Sequence, residues 1–120
     1  MHISVSVIIV NYNGKVYLDK CLDSIKNTTL YSDLQVLVVD NNSVDGSANM
    51  VKEKYPDVKI IELKENVGFC KANNLGAKEA KGDLYVFLNN DTIVTNTWLS
   101  ELVKSVTEND REVAIAESGS

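Results

Sequence analysis

The segment ISVSVIIV, residues 3–10, is followed at once by NYNG, residues 11–14. Valine and isoleucine dominate the first stretch, and a short apolar run rich in β-branched residues is typical of a buried strand. The run is too short to cross a membrane and has no basic flank. The sequence therefore predicts a first strand over residues 3–10 that ends in a polar turn.

Apolar runs and segments of helical periodicity alternate along the rest of the chain. Further strands are predicted at residues 34–39, 58–63 and 84–88, and a fifth strand begins at residues 113–116. Apolar residues recur at helical spacing near residues 15–26, 48–55, 69–80 and 98–106. Pro56 is expected to end the second helix, and Gly82 the third.

This alternation predicts an α/β domain, a doubly wound and mainly parallel sheet with helices on both faces. Right-handed crossovers leave few topologies, and the commonest places the strands in the order 3-2-1-4. One domain is predicted over residues 1–116, with residues 117–120 as a tail that has no structural pattern.

Composition argues against two classes of function. The chain has 120 residues and a formal net charge of −5, and its lysines are scattered between acidic and apolar residues. No basic stripe is present to meet a phosphate backbone, so nucleic acid is not expected as a partner. His2 is the only histidine, and Cys21 and Cys70 lie far apart, so a zinc site of cysteine and histidine is excluded. Both thiols are expected to be buried, in a reducing compartment.

Polar clusters follow three of the predicted strands, at residues 11–13, 40–42 and 89–91. Ligands of open α/β sheets bind outside the carboxyl ends of the strands, where the strand order reverses, so these clusters should converge beside strand one. The ends of strands two and four should be roughly 10 Å apart, a gap that suits one nucleotide with its base near Asp40 and its phosphates near Asp91. The alternative interpretation is that each cluster only forms a turn.

Asp91 is the candidate metal ligand. Mg²⁺ or Mn²⁺ needs only one or two carboxylates together with phosphate oxygens and water, and such an ion would neutralise charge on a departing diphosphate. The alternative role for Asp91 is to cap the segment that follows it. Asp45 fits better as a helix cap or loop brace. The sequence contains neither the glycine-rich turn of a dinucleotide site nor the phosphate loop of a nucleoside triphosphatase.

Four motifs together resemble the family 2 glycosyltransferases. VSVIIVNYN at residues 5–13 is similar to the opening strand of that family, and VVDNNSVDGS at residues 38–47 resembles its second-strand motif. NVGF at residues 66–69, with NNLG at residues 73–76, resembles the segment before the metal motif. FLNNDT at residues 87–92 looks like the metal-binding "DxD" region in a form that contains asparagine.

The resemblance implies a GT-A fold, of which this chain is the Rossmann-like nucleotide-binding half, and an inverting transfer from a nucleoside-diphosphate sugar. Val10 and Tyr12 would line the base pocket, Asp40 would contact the base with Asn41 beside it, Asn90 would lie by the ribose or sugar, and Asp91 would bind Mg²⁺ or Mn²⁺. The expected nucleotide-sugar-binding residues, all near strand ends or in the matched motifs, are Val10, Asn11, Tyr12, Asp40, Asn41, Asn73, Asn89 and Asn90. The implied acceptor is a glycan or a lipid-linked molecule, in the synthesis of cell-surface polysaccharide.

Two features depart from the family pattern. Asn89 occupies the first position of the "DxD" region, which leaves one carboxylate for the metal. The resemblance also implies a further half with the acceptor site and the general base, and no residue of this chain is assigned to that base. We therefore expect a chain that is truncated relative to the family.

Two alternatives to an active transferase stay open at this stage. One is a fragment that binds a nucleotide sugar and transfers nothing. The other is a non-enzymatic regulatory α/β domain, although the acidic cluster that such a receiver-like domain needs beside strand one is replaced by residues 11–13. We expect a cytoplasmic location, with membrane association through further residues left open, and homo-oligomers that form through an exposed sheet edge.

Overall fold

The computed structural model describes residues 3–28, 33–108 and 113–116. In this part of the chain strands and helices alternate throughout. The elements, in chain order, are β1 (Val5–Asn11), α1 (Lys15–Thr28), β2 (Leu34–Asp40), α2 (Ser47–Lys54), β3 (Lys59–Glu62), α3 (Phe69–Glu79), β4 (Leu84–Leu88), α4 (Trp98–Glu108) and β5 (Val113–Ala116).

All described strands pair in parallel, in the order β3-β2-β1-β4-β5. The predicted order 3-2-1-4 is confirmed, and β5 extends the sheet beyond β4. In the register, Asn11 lies opposite Asp40, and Ile9 lies opposite Leu88. The carboxyl ends of β2, β1 and β4 are therefore adjacent at one edge of the sheet.

Strand β1 is buried on both faces because helices cover both. Its residues Val5, Val7 and Ile9 pack into a core with apolar residues of α1, α2 and α4, such as Leu18, Met50 and Leu99. On the opposite face Ile8 packs with Ala72 of α3, together with Val10, Leu37 and Val39. The alternation follows from the two-residue period of a strand. A run that is apolar at every position, as this one nearly is, suits a strand covered on both faces.

Helix α3 approaches the sheet closely at Gly76. A Cβ atom at this position would lie 2.7 Å from Ile8 Cγ2 and 2.9 Å from Val39 Cγ2. Ala72 and Gly76, four residues apart, share the face that meets the sheet. Cys70 lies on another face and is exposed, so the expectation that both thiols are buried holds for Cys21 and is wrong for Cys70.

Several elements begin or end one or two residues from the predicted position. Helix α3 ends at Glu79, before Gly82. The Gly82 N–H donates to Ser6 Oγ over 2.8 Å, and a Cβ atom at Gly82 would lie 2.7 Å from the Ser6 nitrogen. Gly82 thus lets the chain pass close to β1. Strand β1 also continues one residue further than predicted, through Asn11.

None of the helices in residues 3–28, 33–108 and 113–116 combines the length and the apolar character that crossing a bilayer requires.

Candidate functional site

A cavity of about 440 Å³ opens at the carboxyl edge of the sheet, beside the end of β1. Strand order reverses here, since β1 pairs with β2 on one side and with β4 on the other. The walls come from the ends of β1, β2 and β4 and from the start of α3: Val10, Tyr12, Asn41, Asn66, Phe69, Asn89, Asn90 and Asp91. The three predicted polar clusters converge at this edge.

A second groove, of about 350 Å³, lies near the amino ends of β2 and β3. Apolar side chains such as Leu22, Ile25 and Val58 form much of its lining. Ligands of open α/β sheets bind at the opposite, carboxyl edge. The cavity beside β1 is therefore the candidate site.

Six of the nine residues predicted to bind the nucleotide sugar or metal lie in the wall of this cavity: Val10, Tyr12, Asn41, Asn89, Asn90 and Asp91. The other three, Asn11, Asp40 and Asn73, are not part of that wall. Asn11 and Asp40 lie beneath it, where they are 0% and 3% exposed. Asn73 lies on α3. The binding roles of these residues stay predictions.

Asn66 and Phe69 also line the cavity, although neither was predicted to bind a ligand. Phe69 is 57% exposed at the first position of α3. It begins the apolar pattern that predicted this helix over residues 69–80. The feature of the sequence that could have identified both residues is their place in the NVGF motif, after a strand and a polar turn.

Asp91 is exposed, and within the described part of the chain its carboxylate has no hydrogen-bond or ion-pair partner. The neighbouring Thr92 hydroxyl is buried and also lacks a partner among the described residues. Oxygen atoms in this loop are thus left over after internal hydrogen bonds are made. One free carboxylate beside the side-chain oxygens of Asn89 and Asn90 is a donor set that fits Mg²⁺ or Mn²⁺, which bind oxygen and keep several waters.

The cavity offers little positive charge to an anion. Of the eight described residues that line it, none is lysine or arginine, and one is a carboxylate. The described residues also contain no cluster of three or more histidine, cysteine, aspartate or glutamate side chains. A ligand with several negative charges would therefore need a cation to accompany it here.

Asp40, at the end of β2, is held inside the protein. Its Oδ1 accepts hydrogen bonds from Asn11 Nδ2 (3.1 Å) and Ser43 Oγ (2.7 Å), and its Oδ2 accepts one from the Ser43 N–H (2.9 Å). Both carboxylate oxygens are thus in use. The site of Asp40 suits a residue that fixes the loop after β2.

Asn41 supports the turn that carries two wall residues. Its Oδ1 accepts from the Val67 N–H over 2.9 Å, and its Nδ2 donates to the Gly68 carbonyl over 3.3 Å. Gly68 has a φ of 89°, a left-handed conformation that favours glycine. Since Asn66 and Phe69 flank this turn, the amide of Asn41 sets their position in the cavity wall.

Asp45 joins the starts of two helices, as its predicted role of cap or brace requires. Its Oδ2 accepts from the Lys15 N–H over 3.0 Å, and its Oδ1 accepts from the Ser47 N–H over 3.0 Å and from the Ser47 hydroxyl. Burial opposes ionisation of Asp45, but the hydrogen bonds from Ser47 and Lys15 outweigh it and lower the pKa of the carboxyl group below its ordinary value of 3.8.

Cys21 lies beneath the loop that carries Asp91. Its Sγ is 3.9 Å from the backbone oxygen of Asn89. Burial, with the nearby charge of Asp91 in addition, raises the pKa of this thiol to about 12. A thiol with such a pKa stays protonated at neutral pH and is a poor nucleophile, so Cys21 acts here as a packing residue.

Comparison with known proteins gives a family and several relatives. The sequence model of a family described as glycosyl transferase family 2 matches residues 6–119. The chain is 32% identical over 113 residues to glycosyltransferase GlyA of Streptococcus pneumoniae, covering 92% of this chain and 16% of that protein. It is also 32% identical over 114 residues to the minor teichoic acid biosynthesis protein GgaB of Bacillus subtilis, covering 92% of this chain and 13% of that protein.

Solved structures resemble the fold as well. Mannosyltransferase PcManGT from Pyrobaculum calidifontis, in complex with GDP-Man and Mn²⁺, matches with a TM-score of 0.81 and 29% identity, covering 88% of this chain and 33% of that one. S. aureus TarS 1-349 in complex with UDP-GlcNAc matches with a TM-score of 0.78 and 25% identity, covering 88% and 31%. The chain thus spans about a third of the length of these structures.

Proposed function

Because this chain belongs to glycosyl transferase family 2, we propose that it is the donor-binding half of an enzyme that transfers a sugar from a nucleoside-diphosphate sugar. The observation that carries the proposal is the cavity at the strand-order reversal, with the unpartnered carboxylate of Asp91 in its wall. Its volume of about 440 Å³ falls in the range of small-molecule sites.

A divalent cation is part of this proposal. Asp91 would hold Mg²⁺ or Mn²⁺, with the side-chain oxygen of Asn89 beside it. When bound, the metal supplies positive charge to the diphosphate, whose negative charge grows as the sugar departs. Among the described residues that line the cavity there is no lysine or arginine to do this, which supports a requirement for the metal. The complex of PcManGT with GDP-Man and Mn²⁺ supports the same assignment.

The base would lie between the end of β1 and the start of α3. Tyr12 and Phe69 are 52% and 57% exposed in the cavity wall, and aromatic faces of this kind stack on bases. The contact from Asp40 to the base stays a prediction, since its two oxygens already accept hydrogen bonds within the protein. Asn66, exposed at the same wall, is a further candidate for contact with the base.

Inversion at the sugar carbon is proposed from the family resemblance. It needs a general base that deprotonates the acceptor hydroxyl. The known structures that match extend well beyond the length of this chain, and we propose that the base and the acceptor site lie in a corresponding further part. The acceptor we propose is a glycan or lipid-linked molecule of the cell surface, as the relative named for teichoic acid biosynthesis suggests.

The second candidate function is donor binding without transfer by this stretch alone. The coverage of about a third of the matched structures favours it for the chain as given. Membership of a glycosyltransferase family argues against the regulatory-domain alternative. A cytoplasmic location and homo-oligomers through the sheet edge stay proposals, and light scattering at high concentration tests the second.

Calorimetric binding of UDP, GDP and dTDP, each with and without Mn²⁺, tests the proposal. We expect one nucleotide to bind in the presence of Mn²⁺, and Asp91→Ala to abolish the metal-dependent part. Asp57→Ala is the matched control, because Asp57 is an exposed carboxylate beside the other groove. Absence of binding by the wild-type chain to all three nucleotides would contradict the proposal.

A further inference from the structure

Asn11 joins the two sides of the site. It is 0% exposed at the end of β1. Its Nδ2 donates to Asp40 Oδ1 over 3.1 Å, and its Oδ1 accepts from Asn90 Nδ2 over 3.0 Å. Asp40 ends β2 and Asn90 follows β4, so the amide of Asn11 links the strand ends on either side of β1.

The chemistry of Asp40 fixes the direction of this chain of hydrogen bonds. A carboxylate accepts hydrogen bonds and donates none, so the nitrogen of the Asn11 amide must face Asp40. The oxygen of Asn11 then faces Asn90, and an oxygen can only be met by the nitrogen of the Asn90 amide. The orientation of the Asn90 amide is thus set by Asp40, through the amide of Asn11.

The Asn90 Oδ1 atom is left free by this arrangement. It has no hydrogen-bond partner among the described residues, and it is accessible to solvent. Asn90 lines the candidate cavity. The residue therefore presents a hydrogen-bond acceptor to whatever binds there.

Gly14 provides the space for the hydrogen bond between Asn11 and Asn90. A Cβ atom at Gly14 would lie 2.4 Å from Asn90 Nδ2 and 2.9 Å from Asn11 Oδ1. The φ of Gly14 is outside the left-handed region, so its backbone would accept alanine without strain. A methyl group at this position would press on the Asn90 amide and on Asn11 Oδ1, and it would remove no polar group from the site.

We propose that Asn11 is a positioning residue that, in the space left by Gly14, holds Asn90 by its side-chain nitrogen, so that the Asn90 carbonyl oxygen accepts a hydrogen bond from a hydroxyl group of the donor sugar nucleotide. The proposal rests on the proposed function. An acceptor repels phosphate oxygens, whereas the hydroxyl groups of a ribose or sugar can donate to it. Asn11 thereby determines which part of the sugar nucleotide contacts Asn90.

The first test needs no ligand. Hydrogen exchange of the side-chain amides, followed by nuclear magnetic resonance, compares Asn90 with Asn74, an exposed asparagine of α3. The Asn90 amide should exchange about tenfold more slowly than that of Asn74, and Asn11→Ala should remove the difference. Equal rates in the wild-type chain would overturn the positioning by Asn11.

The second test measures the affinity for UDP-N-acetylglucosamine and GDP-mannose in the presence of Mn²⁺. Gly14→Ala should weaken binding of the preferred donor about tenfold, and it should have no further effect in Asn90→Ala, because both changes remove the same contact. Gly76→Ala is the matched control, since its methyl group would press on Ile8 and Val39 instead. It should lower stability and leave affinity unchanged.

Three results would overturn the inference in different ways. Wild-type affinity in Gly14→Ala, or additive effects of Gly14→Ala and Asn90→Ala, would show that the Asn90 orientation is not used in binding. A higher Mn²⁺ requirement in Asn90→Ala would show that the oxygen meets the metal and not a hydroxyl. If the wild-type chain binds neither donor nor free nucleotide, the proposed function fails together with the hydroxyl contact, while the exchange rates still decide the role of Asn11.

Discussion

The polar residues after β2 and those after β4 differ in how their side chains are used. Asp40 is 3% exposed and accepts three hydrogen bonds within the protein. Asp91, exposed after β4, has no such partner among the described residues. The two carboxylates lie at the same edge of the sheet, at the ends of the two strands that flank β1. The Asp40 carboxylate after β2 thus supports the fold, whereas the Asp91 carboxylate after β4 is available to a ligand.

The largest effect should come from Asp40→Ala. This change leaves the buried amide of Asn11 and the Ser43 N–H without their acceptor, and we expect a loss of about 3 kcal/mol in the free energy of unfolding. Asp91→Ala should change it by less than about 0.5 kcal/mol, since no hydrogen bond is lost. Urea denaturation of the two variants measures both values. Similar losses of unfolding free energy in the two variants would show that Asp40 and Asp91 do not differ in their contribution to the fold.

Asn41→Ala should have the next largest effect. The change removes the hydrogen bonds to Val67 and Gly68, and we expect a loss of about 1.5 kcal/mol in stability. Because the turn carries Asn66 and Phe69, nucleotide affinity should also fall severalfold. Thermal unfolding and calorimetry measure the two effects. Lower stability with wild-type nucleotide affinity would show that the turn at Gly68 keeps its conformation without Asn41.

Phe69→Ala should affect binding more than folding. Phe69 is 57% exposed, so stability should change little, while the loss of a stacking surface should weaken nucleotide binding roughly tenfold. Tyr17→Ala is the matched control, since Tyr17 is 62% exposed on α1 and is not part of the cavity wall. Equal nucleotide affinity in the two variants would show that Phe69 does not contact the nucleotide.

The smallest effect concerns pH and Asp45. Hydrogen bonds from Ser47 and Lys15 favour the charged form of Asp45 and lower its pKa in the folded protein. The resulting stability is present above the ordinary pKa of 3.8 and is lost as pH falls through the lower, folded value. The stability difference between wild type and Asp45→Asn should therefore shrink as the pH falls from 7 to below 3.8. Urea midpoints measured across this range test the expectation, and a constant difference would contradict it.

Much of the architecture could be predicted because it depends on patterns that are local in sequence. The apolar runs at residues 34–39 and 84–88 predicted strands. Their order followed from the right-handedness of crossover connections and from the commonest topology of such sheets. The convergence of the three polar clusters followed from that order alone. The candidate metal ligand, Asp91, followed from its place after a buried strand, and the family resemblance implied the same role.

The rest depended on contacts between residues far apart in the chain. Asp40 and Asp91 look alike in sequence, each after an apolar run, and only the positions of Asn11 and Ser43 distinguish the buried carboxylate from the free one. Cys70 was expected to be buried, but α3 meets the sheet through Ala72 and Gly76, and Cys70 is exposed. Periodicity locates a helix and leaves its rotation about its own axis less certain.

The exposed loop after β4 has a consequence for how such a domain can diversify. Most protein sites resist substitution because their residues also support the fold, and stability then limits which variants survive. Asp91 and its cavity neighbours Tyr12 and Phe69 are exposed, so changes there should be nearly neutral for folding. Natural variation can therefore change which ligand the cavity accepts, while the hydrogen bonds of Asp40 keep the sheet edge intact.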